Sequence, residues 1–504
     1  MDPVEKVFRD LPSPDADQAT QDQHGEYDQQ RYKQVFMSFR SSRSQDPDRE
    51  LVEKYVRALS ESLDATTLRS ELGRLALEKP QILDDGSMKS QQLKYHAWIS
   101  QGRKDEAYPF KPKTKLTDTK ICANCAKPNA KAACSGCRVE LDGHVVMKIA
   151  YCDKDCQAQH WEQHKSQCLG RRKVCRAVSL LYDLFAMFQK KASNDKQVTG
   201  IVEKHGITNI LHGEPNDWAL QGKHFVCNFP VEMAPTEEHA LAVLFDSECQ
   251  QVFSTCQGLV SLFLLPLCKT VEEVNIIPRN AHRPTNDLRH GMAHNAMYNA
   301  HTVLRATLKS GEQMAIDVTG AQFGWRETVA LWKTWTTHRV TGKACPTPWG
   351  HAQQSMQTMY PFLAAQFVQV SESQRSSLAQ IMQTAVENKM KEHKAPSANR
   401  LYKLGDAAFA ACKDAMMSSA EEALDNGLRD IHESGVGRCY IDARGMWQAT
   451  TTKQQAQALK DVWLTDEDVK KAVKKGKSLQ TMYQLRCQGT ATRQKFKAAG
   501  LDMP

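Results

Sequence analysis

The 504-residue sequence lacks any apolar run long enough to cross a lipid bilayer. A membrane-spanning helix needs about 20 predominantly apolar residues, and the most apolar stretch here, LVSLFLLPL at 259–267, is typical of a buried core segment. The first residues, MDPVEKVFRD, also lack the apolar stretch of a secretory signal peptide. We therefore expect an intracellular protein, in the cytoplasm or the nucleus, without a membrane partner.

The sequence also lacks a strong excess of one charge and an internal repeat. A net charge of +8 over 504 residues is mild, so the composition gives little reason to infer nucleic-acid binding. A hydrophobic fraction of 41% is ordinary for a globular protein, and the length allows roughly two to four domains. No repeat of solenoid period is present.

The hydrophobic patterning predicts a multidomain α+β protein. Helical periodicity precedes a cysteine-rich segment, and β-like runs such as EEVNII, TVLRATL and QMAIDVT follow it among apolar helical pieces. The predicted organisation is a mobile N-terminal arm at 1–44, a helical region at 45–115, a cysteine-rich module at 116–170, an α+β domain at 171–370 and a helical C-terminal region at 371–504.

Cysteine is the residue type that the sequence concentrates. Seven of the sixteen cysteines fall between positions 122 and 168, and clustered cysteines in a reducing compartment more often bind metal than form disulfides. The other nine are scattered singly and are expected to be buried small hydrophobes. The clustered metal-binding residues comprise two CxxC half-sites and a row repeating every fourth position: Cys122, Cys125, Cys134, Cys137, then Cys152, Cys156, His160, His164 and Cys168.

The row at 152–168 must serve at least two ions. If it is helical, its ends lie about 24 Å apart, whereas the ligands of one zinc ion lie within a few ångströms of one another. His164 lies about 6 Å along the helix from Cys168 and His160 twice as far, so we expect His164 to be the ligand and His160 a partly exposed helix residue. Seven thiolates and His164 fill two tetrahedral sites completely, and closed sites of this kind are structural.

The spacing C-x2-C-x8-C-x2-C-x14-C-x3-C-x7-H-x3-C closely resembles that of the MYND zinc finger. The resemblance implies two zinc ions in a cross-braced arrangement, with Cys122, Cys125, Cys152 and Cys156 on one ion and Cys134, Cys137, His164 and Cys168 on the other. It also implies a shallow groove for proline-rich peptides, lined by Gln157 and Trp161. The insert RVELDGHVVMKIAY is longer than in compact fingers and predicts an extended hairpin. The competing interpretation is that Trp161 packs against the rest of this chain.

Two enzymatic alternatives concern the remainder of the chain. Some MYND fingers occur in SET-domain lysine methyltransferases, but HNAMYNAHTV and SGEQM only faintly resemble their cofactor segments. The segment HTVLRATLKSGEQMAIDVTGAQFGW resembles the hairpin of transglutaminase-like Cys/His/Asp enzymes, with Cys256 as nucleophile beside His301 and Asp317. It is also similar to a segment of fungal MYND-containing proteins.

Strand register argues against this second alternative. Facing the apolar residues of the two strands pairs Asp317 with Arg305 and places it about 13 Å from His301. The residues therefore favour a zinc-binding interaction protein, with a protein partner and no catalytic residues.

Overall fold

The computed structural model describes residues 121–501 and 503, with gaps at 137–138, 142–143, 148, 195–197, 205–206, 213–216, 247, 280, 283–284, 288–293, 296–300 and 364–365. The predicted N-terminal arm at 1–44 and helical region at 45–115 lie outside the described residues.

The cysteine-rich module consists of two small antiparallel pairs and the start of a long helix. Its strands are β1 (Ala132–Ala133), β2 (Val139–Leu141), β3 (His144–Met147) and β4 (Ala150–Tyr151). Strands β1 and β4 pair with each other. Strands β2 and β3 pair across the Asp-Gly dipeptide at 142–143, so the hairpin predicted for the insert is confirmed.

Helix α1 (Lys154–Lys191) joins the module to the rest of the chain without a break. Asp153 caps its N-terminus by accepting a hydrogen bond from the Cys156 backbone N–H at 2.8 Å. Its 38 residues span about 57 Å. The first part carries ligand candidates, whereas the stretch from Val174 to Phe188 is buried in the main hydrophobic core.

The described part of the central region contains three sheets, the smallest being the pair of β5 and β8, and several short helices. Its elements are β5 (Ser193–Asn194), β6 (Val198–Lys204), β7 (Ile207–His212), α2 (Asp217–Leu220), β8 (Val226–Cys227), α3 (Glu237–Leu244), α4 (Cys249–Thr255), α5 (Gln257–Phe263), β9 (Cys268–Pro278), β10 (Thr285–Asp287), β11 (His294–Asn295), β12 (His301–Leu308), β13 (Gln313–Ile316), β14 (Val329–Leu331), α6 (Trp332–Arg339) and β15 (Val340–Pro348). The largest sheet is antiparallel, with five strands in the order β14-β13-β12-β9-β15. Another sheet has four strands in the order β11-β10-β7-β6.

Both faces of the five-stranded sheet are buried, because alternate residues of each strand point to opposite sides. On one face, Leu304, Ala306 and Ile316 join the main core. On the other face, Val303 and Ala315 pack with the aromatic residues that follow β13.

The register predicted for the β12–β13 hairpin is wrong by two residues. Leu304 pairs with Ile316 and Arg305 with Ala315, so Asp317 lies beyond the last paired position, on the side of His301. The turn explains the difference: the Leu308 N–H donates to the Glu312 carbonyl at 2.8 Å, and Gly311 adopts a φ of 88°. This closure fixes which residues face each other.

The C-terminal region completes the main core and adds a smaller one. Its elements are α7 (His351–Leu363), α8 (Gln366–Glu392), α9 (Ala398–Leu401), α10 (Asp406–Ser434), β16 (Cys439–Ile441), β17 (Trp447–Ala449), α11 (Lys453–Leu459), α12 (Asp466–Lys474), α13 (Leu479–Cys487) and α14 (Thr490–Ala498). The long helices α8 and α10 pack against each other and bury apolar residues beside those of α1 and α5. The separate small core holds the last helices. No helix in the described part of the chain is both long and apolar enough to cross a membrane.

Candidate functional site

Four thiols from distant parts of the module come together at one point. The Sγ atoms of Cys122, Cys125, Cys152 and Cys156 all lie within 4.8 Å of one another. The backbone explains why: Cys122 forms a parallel bridge with Ala150, which brings the first CxxC unit beside β4. Cys152 follows β4 directly, and the helix cap places Cys156 one turn further on.

The first CxxC unit has the local geometry of a zinc-binding turn. The Ala126 N–H donates to the Cys122 carbonyl at 2.9 Å, and Ala126 adopts a φ of 57°. Burial raises the pKa of the Cys122 thiol, but hydrogen bonds from the backbone N–H groups of Cys125, Cys152 and Asn124 outweigh it and lower the pKa to about 6. Backbone donors of this kind stabilise a metal-bound thiolate.

A second group contains Cys134, His164 and Cys168, which are all buried and whose ligand atoms lie within 4.8 Å of one another. The β1–β4 pairing places Cys134 beside β4, and its N–H donates to the Ile149 carbonyl at 3.0 Å. Burial, followed by the charge of Arg171, lowers the pKa of His164, which favours the neutral imidazole that binds metal. Cys137 lies outside the described residues.

The distances between sulfurs fit zinc. A tetrahedral site with Zn–S bonds of about 2.3 Å separates its sulfurs by about 3.8 Å. The observed separations are 3.5 Å for Cys125 and Cys152, 3.9 Å for Cys125 and Cys156, and 3.6 Å for Cys134 and Cys168. The contact with Cys125 and then burial raise the pKa of Cys152 to about 12; a divalent cation between the thiols would reverse this effect.

His160 does not join either group. Its Nδ1 lies 3.0 Å from the hydroxyl of Tyr151, and its ring stacks on His164 with centroids 6.0 Å apart. The residue is partly exposed, as expected. His160 therefore connects helix α1 to strand β4 through its contact with Tyr151.

Close groups of thiolate and imidazole donors, held by short turns and a capped helix, define a structural zinc-binding module. Residues 122–168 match the family model of the MYND finger, and the chain therefore contains a MYND-type zinc finger. No solved structure matches the chain.

Gln157 and Trp161 lie one turn apart on α1, on the side that carries His164. Both residues are half-buried. Trp161 packs against the small core of the finger, with its ring edge-on to His164 and the centroids 6.1 Å apart. Part of the indole therefore supports the finger itself, and the remaining surface faces outward.

A buried ion pair connects the finger to the β12–β13 hairpin. Arg171, one turn beyond Cys168, donates from Nε to the Glu312 carboxylate at 2.7 Å, and the two side chains are 3% and 13% exposed. Glu312 belongs to the SGEQM segment that faintly resembles a methyltransferase cofactor turn. Its contact here is structural, while residues 296–300, half of HNAMYNAHTV, lie outside the described residues.

The Cys/His/Asp candidates are placed differently from the prediction. His301 Nε2 lies 3.0 Å from Asp317 Oδ1, and both residues are buried, so the expected separation of about 13 Å is wrong. Cys256 lies in the main core, where burial raises its thiol pKa to about 12. The cysteine that hydrogen-bonds His301 is Cys249, one of the nine scattered cysteines expected to be simple core residues.

The His301–Asp317 pair predicts a pH-dependent stability. Burial lowers the pKa of His301, but the charge and hydrogen bond of Asp317 outweigh it and raise the pKa to about 10. A raised pKa adds stability that is complete below the unfolded value of about 6.5 and is lost as the pH rises through about 10. We expect the free energy of unfolding of the zinc-loaded protein, measured in urea, to fall over this window. The variant His301→Gln should lack that fall; parallel curves for the two proteins would contradict the prediction.

Proposed function

We propose that the finger binds two zinc ions, each enclosed by four protein ligands, and that it presents Gln157 and Trp161 to a proline-rich segment of a protein partner. The observation that carries the proposal is the position of Trp161: half-buried beside His164, with part of its indole facing outward. The metal stabilises the module, and the helix surface makes the contact.

The chemistry of the two side chains suits an extended proline-rich peptide. Such a segment lacks many backbone N–H groups and adopts the polyproline II conformation, whose rings pack well on a flat indole. The Gln157 amide can then hydrogen-bond the peptide carbonyls. Because the ligands His164 and Cys168 lie on the same face of α1, zinc binding fixes the orientation of this surface.

Replacement of Trp161 by Ala tests the surface directly. We expect peptide affinity to fall by roughly 2 kcal/mol or more, as for other buried aromatic anchors, with zinc content unchanged. Fluorescence anisotropy with the tightest member of a proline-rich peptide array measures the affinity, and elemental analysis measures the zinc.

The matched control is Gln163→Ala, because Gln163 is exposed two residues further along the same helix. This variant should bind the peptide as the parent protein does. Equal binding by Trp161→Ala and the parent, or an array without any binder, would contradict the proposed surface. Loss of zinc in Trp161→Ala would instead assign the indole a purely structural role.

A further inference from the structure

Three side chains with the chemistry of a nucleophilic site meet in the α+β region, away from the zinc finger. The imidazole of His301 contacts the Asp317 carboxylate through Nε2 at 3.0 Å and hydrogen-bonds the Cys249 thiol. Nε2 faces Asp317, and the second ring nitrogen, Nδ1, faces Gln322. The Gln322 amide nitrogen lies 3.4 Å from the same Nδ1.

Secondary structure holds two of the three residues. Cys249 is the first residue of α4, a helix that packs against β12, and His301 is the first residue of β12. The residue before the cysteine, Glu248, is fixed by a buried ion pair with Arg375 at 3.0 Å. A nucleophile held at the start of a helix, opposite a histidine on a strand, is positioned by rigid elements.

The loop after β13 is shaped around the Asp317 carboxylate. The Thr319 N–H donates to Asp317 Oδ1 at 3.3 Å, and a Cβ on Gly320 would lie 2.8 Å from Asp317 Oδ2. This second oxygen is buried and has no hydrogen-bond partner among the described residues. Glycine is therefore required at position 320 for the carboxylate to sit beside the imidazole.

Aromatic rings enclose the histidine. Phe323 and Trp325 meet His301 edge-on, with centroids 4.9 Å and 5.9 Å away. His301 is 0% exposed and Asp317 2%, whereas Cys249 is 7% exposed. Cys249 is thus the least buried of the three residues.

We propose that Cys249, His301 and Asp317 form a cysteine-dependent acyl-transfer site that takes amide or ester acyl donors. Cys249 is the nucleophile, His301 the general base and acid, and Asp317 a positioning residue that holds the imidazole. Cys256 takes no part in the reaction, because it lies seven residues after Cys249, about 10 Å away along helix α4.

The reaction follows from one proton shared between the Cys249 thiol and the His301 imidazole. The thiolate attacks the acyl carbon, forming a C–S bond and breaking the bond to the leaving amine or alcohol, which takes the proton from His301. Water or a primary amine then attacks the thioester and gives its proton to His301, and the thiol is restored. The Asp317 charge that raises the pKa of His301 stabilises the imidazolium formed in each step.

The test uses the full, zinc-loaded chain and p-nitrophenyl acetate as acyl donor. We expect a burst of p-nitrophenolate together with one acetyl group on Cys249, located by peptide mass spectrometry. Cys249→Ser should abolish the burst, and His301→Gln should slow it by roughly 100-fold or more. Cys256→Ser should retain it, which assigns the reaction to Cys249 rather than to Cys256.

A positioning role for Asp317 makes a distinct prediction about pH. In Asp317→Asn the alkaline limb of the burst rate should move to lower pH, because the carboxylate raises the pKa of His301; a merely structural residue would change only the amount of folded protein. Circular dichroism identifies variants that remain folded. If the unmodified protein acetylates exposed Cys345 and leaves Cys249 untouched, or if Cys249→Ser keeps the burst, the proposal is overturned whatever the fate of the other variants.

Discussion

Removal of zinc should unfold residues 121–170 and leave the main core intact. Half of the buried residues in the finger's small core are the cysteines Cys122, Cys134 and Cys168, so little apolar packing remains once the metal is gone. Structural zinc supplies about 10–16 kcal/mol in isolated fingers, which exceeds what so small a core provides. The stretch from Val174 to Phe188, in contrast, is buried among α5, α8 and β12.

Hydrogen exchange with mass spectrometry measures this difference. After treatment with a zinc chelator, peptides from 121–168 should lose protection, whereas peptides from 174–189 should keep it. Elemental analysis of the parent protein should give two zinc atoms per chain. His164→Ala should lower this number, and His160→Ala, one turn away and bonded to Tyr151, should not. Retained protection in the chelated finger would show that packing rather than metal holds it.

Replacement of Arg375 by Ala should destabilise the main core by about 3–5 kcal/mol. Arg375 is fully buried and its guanidinium contacts Glu248 at 3.0 Å and the Gln189 amide oxygen at 2.9 Å. Removing it leaves the Glu248 carboxylate, itself 5% exposed, without its main compensating charge. Urea unfolding of the zinc-loaded protein measures the loss.

A second ion pair on the same helix is the control. Lys389 and Glu392 interact at 2.6 Å with side chains 33% and 58% exposed, so Lys389→Ala should cost less than about 1 kcal/mol. The double replacement Glu248→Gln with Arg375→Met removes both charges and should recover much of the stability lost in Arg375→Ala. Equal losses for Arg375→Ala and Lys389→Ala would mean that burial does not govern the strength of the Arg375 pair.

The finger was predictable from the sequence because zinc coordination and helix geometry both constrain the positions of its ligands. A tetrahedral ion fixes the number of ligands, and the helical repeat fixes their spacing, so the pattern of residues is enough to place Cys156, His164 and Cys168 on one helix. The backbone bridge between Cys122 and Ala150, which determines which thiols meet, leaves no local signal. From the sequence, the cross-braced arrangement was implied only by the resemblance to the MYND finger.

The β12–β13 register was not predictable from apolar alternation. A shift of two residues leaves every side chain on the same face of the sheet, so Leu304 opposite Ile316 and Ala306 opposite Ile316 satisfy the pattern equally well. The turn at Gly311 decides between them. The sequence also gave no sign of a role for Cys249. The segment FDSECQQVF brings this residue to His301 only after α4 has packed on the sheet.

Helix α1 runs without a break from the finger into the α+β region and connects the two rigidly. No linker lies between Cys168, in the zinc module, and Arg171, which is anchored on the hairpin that leads to Asp317. One residue inserted between them would turn the finger by about 100° about the helix axis. A partner that binds the proposed surface at Trp161 would therefore be held at a fixed angle to the α+β region.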